Sequence, residues 1–125
     1  ISHHIPSTWF NKMPFSTYMR TIAMSKIAVA PRGWSADTMK RVEVPIYKTL
    51  LFTNELEYIT PDEFEDGKTY VTFKQDLSDF DEKLKNYLND ENECNRIARN
   101  GNEFLLKYHT TEVRAKQLLY QMGKL

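Results

Sequence analysis

Three short apolar segments separate the polar parts of the chain. They lie at residues 26–30, 49–53 and 68–74, and the first is followed at once by Pro31. The first two are too short for helices and are typical of strands buried on both faces, whereas the third alternates apolar and polar positions as a strand does. The pattern therefore predicts three strands.

Elsewhere apolar residues recur every three to four positions, which indicates helices with one buried face. We expect the first helix at residues 15–25, after Pro14, and the second between the first two strands, capped by Ser35 or Asp37 and ended by Pro45. Three more helices are expected after the third strand: one capped by Asp76 or Ser78, one at residues 91–108, and one capped by Thr110 or Thr111 with Ala115, Leu118, Leu119 and Met122 as its apolar stripe.

The order strand, helix, strand predicts a right-handed crossover between parallel strands. The predicted fold class is α/β, with a small Rossmann-like parallel sheet of three to four strands, flanking helices and a helical C-terminal tail. In such sheets ligands bind beyond the carboxyl ends of the strands. Here that position is occupied by residues 32–35, which read as a loop, and by the start of the helix that follows.

Composition narrows the class of protein. The 125 residues suffice for one domain, and 41% hydrophobic residues exclude a disordered chain. Seventeen basic and seventeen acidic residues cancel, so no overall charge favours nucleic acid, and no apolar run approaches the ~20 residues of a transmembrane helix. The sequence begins with Ile1 rather than Met, and we expect residues 1–125 to be one domain of a longer protein.

Two residues of the helix predicted at residues 91–108 are unusual for a helix. Gly101 costs it roughly 1 kcal/mol relative to alanine, so we expect this glycine to permit close packing against a neighbour. Cys94 is the single cysteine, which excludes an internal disulfide. We interpret it as a structural thiol rather than a nucleophile, in a protein of a reducing compartment such as the cytoplasm.

Familiar catalytic motifs are missing from the sequence. There is no Gly-x-Ser-x-Gly elbow, no phosphate-binding Walker loop and no Cys/His spacing of a metal site. The neighbouring His3 and His4 are expected to diverge in regular structure, so we predict neither a metal nor a cofactor.

The central stretch nevertheless carries the residue types that bind a nucleotide. Cations and backbone N–H groups can meet a diphosphate, and a carboxylate can accept hydrogen bonds from both ribose hydroxyls. Asp37 opposes this interpretation, because it places negative charge where a phosphate would lie. The same residue types equally suit a simple turn and solvated surface groups. The candidate site consists of Arg32, Gly33, Trp34, Ser35, Lys40, Arg41 and Glu43.

Four segments together resemble the carboxyl-terminal half of a GT-B glycosyltransferase, in the family 1-like group that includes the spore maturation protein B-like enzymes. They are residues 25–31 (SKIAVAP), 38–53 (TMKRVEVPIYKTLLFT), 76–88 (DLSDFDEKLKNYL), and 96–101 (RIARNG) with 108–114 (YHTTEVR). The resemblance runs over roughly residues 20 to 122. It rests on the order and spacing of these segments, since none is specific by itself.

This resemblance implies a function and a set of roles. Glu43 would bind the ribose of a nucleotide-sugar donor, Arg41 would lie near its phosphates, and residues 32–35 would form the donor loop. Sugar transfer would need no obligatory metal, and an amino-terminal half outside this sequence would hold the acceptor.

The sequence departs from the family pattern at two positions. Many family members have an acidic residue eight positions before the glutamate, where this chain has Ser35, and a glycine five positions after it, where this chain has Lys48. Two alternatives remain beside the donor-binding domain, one from the shared order of strand, loop, helix and glutamate and one from these departures. One is an exostosin-like transferase domain, and the other is a non-catalytic interaction module on the same fold.

Overall fold

A parallel sheet of three strands forms the centre of the molecule. The computed structural model describes residues 13–33, 39–55 and 63–124. The strands β1 (Ile27–Ala30), β2 (Leu50–Asn54) and β3 (Val71–Phe73) lie in the order β1-β2-β3. Ile27 pairs with Leu50, and Phe52 pairs with Val71. The three strands predicted from the apolar segments are confirmed.

Helices flank this sheet. The described residues form α1 (Phe15–Met24), α2 (Lys40–Ile46), α3 (Phe80–Asn89), α4 (Glu91–Tyr108) and α5 (Thr111–Gln121). The α/β, Rossmann-like class with a helical C-terminal tail is therefore confirmed. Both crossovers return the chain to the same end of the sheet, so the carboxyl ends of all three strands meet at one edge.

The core has two layers because side chains alternate along β2. Leu50 and Phe52 point toward α3 and α4, whereas Leu51 between them points toward α1 and α2. The first layer contains Leu50, Phe52, Val71, Phe73, Cys94, Ile97 and Ala98, and the second contains Ile22, Ala30, Val44, Leu51 and Tyr70. Every residue of β2 is buried, which explains why Leu50, Leu51 and Phe52 follow one another without a polar residue between them.

Of the five described helices, α4 and α5 begin with a side-chain cap. The Asp90 side chain accepts a hydrogen bond from the Glu93 amide at the start of α4, and Thr110 does the same for Val113 in α5. For α3, however, the predicted caps Asp76 and Ser78 are wrong, since Asp79 precedes the helix. Leu77 lies between them at φ 63°, a left-handed conformation that keeps the segment out of the helix.

The end of α2 differs by one residue from the prediction. Pro45 lies within the helix, which continues to Ile46. Asn102 of α4 supports this end, because its amide Nδ2 donates to the carbonyl oxygens of Pro45 and Ile46, each at 3.0 Å. The predicted caps Ser35 and Asp37 lie outside the described residues.

Gly101 brings α4 close to the turn that precedes β3. A Cβ atom built on Gly101 would lie 2.5 Å from the carbonyl oxygen of Thr69. The expectation that this glycine permits close packing is confirmed. The neighbouring Asp66–Gly67 turn also forms as its sequence indicates, with Gly67 at φ 75°.

The apolar stripe predicted for α5 is not buried within the described chain. Leu118 is 59% exposed and Met122 is 60% exposed, and α5 has no buried residue. The helix packs mainly against the end of α4, beyond the reach of the sheet. Periodicity identified the helix correctly, but it does not show whether the same chain covers the apolar face.

Candidate functional site

Asn54 joins the three strands at their carboxyl ends. Its Oδ1 accepts a hydrogen bond from the backbone N–H of Arg32 at 2.8 Å, just beyond β1. Its Nδ2 donates to the carbonyl oxygen of Phe73, the last residue of β3, at 3.3 Å. Asn54 itself ends β2 and is only 8% exposed. One buried amide therefore holds the edge where a ligand is expected.

The sequence analysis does not identify Asn54, which follows the predicted strand at residues 49–53. A usable signal existed, because Asn54 is the first residue with a side-chain amide after the predicted buried strand at residues 49–53. Such a residue at the end of a buried strand must satisfy its amide locally. The amide can then organise the ends of the neighbouring strands.

Arg41 lies beneath the same edge. It is 5% exposed, and its Nη2 donates to the backbone carbonyl oxygen of Asn54 at 2.8 Å. The guanidinium carbon lies 5.4 Å from the centre of the Tyr70 ring, which is within range of a cation–π interaction. The alternative that Arg41 is a solvated surface group is therefore excluded. Its charge is held at a defined point by α2, β2 and Tyr70.

The loop after β1 starts at this edge. The Arg32 side chain is half-buried while its backbone is tied to Asn54. Gly33 is exposed, and within the described chain nothing lies within 4 Å of a Cβ built there, so packing does not demand a glycine. The next two predicted loop residues, Trp34 and Ser35, lie outside the described residues.

Glu43 and Lys40 occupy other faces of α2. Lys40 is exposed at the first position of the helix. Glu43 is half-buried, and its Oε2 accepts a hydrogen bond from the Tyr18 hydroxyl of α1 at 2.9 Å. Residues two apart in a helix point roughly 200° apart, so Glu43 faces α1 while Arg41 faces the strand ends. The structure thus joins Arg32 and Arg41 through Asn54 but gives Glu43 a separate partner.

Tyr18 remains a hydrogen-bond donor at neutral pH. Burial, followed by the hydrogen bond and charge of Glu43, raises the pKa of Tyr18 to about 12. Within the described part of the chain, Oε1 of Glu43 makes no hydrogen bond and the carboxylate makes no ion pair. Since a carboxylate has about four acceptor positions, Glu43 keeps capacity for a ligand.

Other candidate chemistry finds little support in the described residues. Burial raises the pKa of the Cys94 thiol, which disfavours the nucleophilic thiolate. No three His, Cys, Asp or Glu side chains in these ranges are grouped to hold a metal. His3 and His4 lie outside them. None of the described helices combines the length and apolar character needed to cross a bilayer.

The fold and its polar edge define an α/β domain of Rossmann-like type with a candidate ligand site beyond the strand ends. A family model described as glycosyl transferase-like matches residues 5–120, and the chain belongs to this family. Neither the curated proteins nor the solved structures gave a significant match. The family assignment supports a role in glycosyl transfer.

Lys48 occupies the position at which the GT-B resemblance leads us to expect a glycine. It connects α2 to β2 with φ 56°, a left-handed conformation that glycine adopts without steric cost. The backbone at the position of the usual glycine is thus left-handed, although the residue is a lysine. The left-handed turn therefore forms at Lys48 and carries the strain of a residue with a Cβ atom.

Proposed function

We propose that this chain is the donor-binding half of a GT-B glycosyltransferase of the family 1-like, spore maturation protein B-like group. It would bind a nucleotide-diphosphate sugar, whose sugar is transferred to an acceptor held by another domain of the same protein. The observation that carries the proposal is the buried Arg41, fixed to the carboxyl edge of the sheet by Asn54. Ligands of parallel α/β sheets bind at this edge.

The cations of the edge suit the diphosphate. The leaving nucleotide diphosphate gains negative charge in the transition state, and charges held in place beforehand stabilise it without reorganisation. Arg41 is held in this way by its contacts with Asn54 and Tyr70. Arg32 and the exposed Lys40 would add charge, and residues 32–35 would form the donor loop.

Glu43 would bind the ribose. Its half-buried carboxylate remains ready to accept hydrogen bonds from two vicinal hydroxyls. Arg41 and Glu43 point to different sides of α2, so the phosphates and the ribose would lie on either side of the start of this helix. The chemistry proposed here requires no metal and no further cofactor.

Calorimetric titration with uridine, guanosine and adenosine diphosphates tests the proposal. We expect saturable binding of one of them, and Glu43→Ala should weaken it more than tenfold, or about 1.4 kcal/mol. Glu103→Ala is the matched control, because Glu103 is an exposed carboxylate of α4 and should leave affinity unchanged. Unchanged affinity of Glu43→Ala would remove Glu43 from the site. No binding at millimolar concentration would refute the donor proposal.

A non-catalytic interaction module on the same fold is the second candidate. Two departures from the resembled pattern, Ser35 and Lys48, favour it. So do the exposed apolar residues Leu118 and Tyr120 of α5 and Met122 just after it. The same titration separates the two candidates, since an interaction module should bind none of the three nucleotides. An exostosin-like transferase would bind one of them, and secretory signals in the parent protein would favour that alternative.

A further inference from the structure

The hydrogen bond between Tyr18 and Glu43 connects the helix before β1 with the helix after it. We infer that Tyr18 is a positioning residue, whose hydroxyl holds the Glu43 carboxylate in one orientation so that its second oxygen receives the ribose hydroxyls. This inference rests on the proposed function, because it assumes that Glu43 binds the ribose.

The geometry makes Tyr18 a rigid hydrogen-bond donor to Glu43. Its hydroxyl lies 2.9 Å from Oε2 of Glu43, and its ring packs against the core layer that contains Ala30, Val44 and Leu51. A tyrosine ring has only two side-chain torsions, and packing against the core restricts both. Glu43, in contrast, has three torsions and no cationic partner within the described residues. Without the Tyr18 hydroxyl the carboxylate would sample several rotamers.

A tyrosine hydroxyl as the hydrogen-bond donor to Glu43 also suits a ribose site. A neutral hydroxyl occupies one acceptor position of the carboxylate and leaves its negative charge in place. Lysine or arginine at this position would neutralise Glu43 and compete for the oxygen that the ligand needs. Because burial and Glu43 keep the pKa of Tyr18 high, the hydroxyl stays protonated in the physiological range.

The position of α1 places this pair on the ligand side of the sheet. The end of α1 lies near the start of β2, since the Ile22 carbonyl oxygen accepts a hydrogen bond from Thr49 Oγ1 at 2.8 Å. Tyr18 lies one turn earlier than Ile22 and contacts Glu43 of α2, the helix whose Arg41 reaches the carboxyl end of β2. Both Tyr18 and Glu43 are partly exposed, so a ligand can reach the carboxylate.

Ribose discrimination tests the inference. The affinity of the wild-type protein for the nucleoside diphosphate that it binds is compared with its affinity for the 2′,3′-dideoxy analogue, and the comparison is repeated with Tyr18→Phe. We expect Tyr18→Phe to lower the preference for the ribose form by about fivefold, through lost pre-orientation of Glu43, and to leave affinity for the dideoxy analogue unchanged. Tyr120→Phe, on the exposed side of α5, should change neither value.

A ligand-free measurement keeps the inference separable from the proposed function. Three-bond NMR couplings of the Glu43 side chain should report one rotamer in the wild type and averaging in Tyr18→Phe. A single rotamer in both proteins would overturn the inference, as would an equal loss of affinity for the two nucleotides. Absence of any ribose preference in a wild-type protein that binds nucleotide would overturn both the role of Glu43 and that of Tyr18. If no nucleotide binds to the wild type in the titration, the proposed function alone is refuted. The rotamer result then still decides whether Tyr18 orients Glu43.

Discussion

Replacing Gly101 by alanine should destabilise the protein although alanine is the better helix former. The new Cβ atom would meet the Thr69 carbonyl oxygen at 2.5 Å, so α4 and the turn must separate by roughly 1 Å to reach an ordinary contact. Neither atom belongs to a movable side chain. The Thr69 backbone is held by a hydrogen bond from its N–H to Glu65 at 2.9 Å and by β3, which begins two residues later.

The magnitude follows from two opposing effects. Helix propensity favours alanine by about 1 kcal/mol. Overpacking a site of this kind costs about 1–3 kcal/mol, and backbone-to-backbone contact places the cost at the upper end. The expected net loss is about 2 kcal/mol in the free energy of unfolding, which lowers Tm by about 8 °C in a domain of this size.

Urea unfolding followed by far-UV circular dichroism measures this loss. Arg99→Ala is the control, because Arg99 is exposed on the same helix and should change stability by less than about 0.5 kcal/mol. A Gly101→Ala protein that is more stable than wild type by the propensity difference would refute the close approach of α4 to Thr69.

Two further predictions concern backbone strain and pH. Lys48→Gly should raise the free energy of unfolding by about 1 kcal/mol by relieving the left-handed conformation, whereas Lys48→Ala should not; equal stability of the two variants in urea would contradict the strain. A hydrogen bond from the Lys74 backbone N–H, and then the Lys83 side chain, lower the pKa of Asp79. The ionised Asp79 therefore stabilises the folded state above the ordinary aspartate pKa of 3.8, and this stabilisation is lost as pH falls through the lowered pKa. Asp79→Asn should therefore flatten the acid side of the stability curve, and a curve parallel to that of the wild type would exclude this role.

The strands and most helices were predictable because burial leaves a local pattern. A strand covered on both faces is largely apolar, as Leu50, Leu51 and Phe52 of β2 are, and Thr110 at the start of α5 is a residue type that caps helices. The start of α3 was not predictable in the same way. Asp76, Ser78 and Asp79 are all residue types that cap helices, yet none of their side chains caps α3. The Asp79 carboxylate instead accepts a hydrogen bond from the Lys74 N–H, before the left-handed Leu77.

The candidate site was predictable in residue type but not in arrangement. A sequence shows that Arg41 and Glu43 share a helix, yet their partners belong to distant elements. Arg41 reaches Asn54 across thirteen positions of sequence, and Glu43 reaches Tyr18 across twenty-five. Charged residues are usually exposed, so no local signal indicates that Arg41 is buried. The roles of both residues in donor binding stay predictions for the titrations above.

The side-chain amide of Asn54 couples the assembly of the carboxyl edge of the sheet to the pairing of its strands. Its two side-chain hydrogen bonds exist only when the ends of β1 and β3 are both aligned with β2. A chain with a frayed outer strand therefore lacks the assembled edge, and a nucleotide would select the fully ordered sheet. Hydrogen exchange should then slow in all three strands together when ligand is added, since occupancy suppresses their concerted opening.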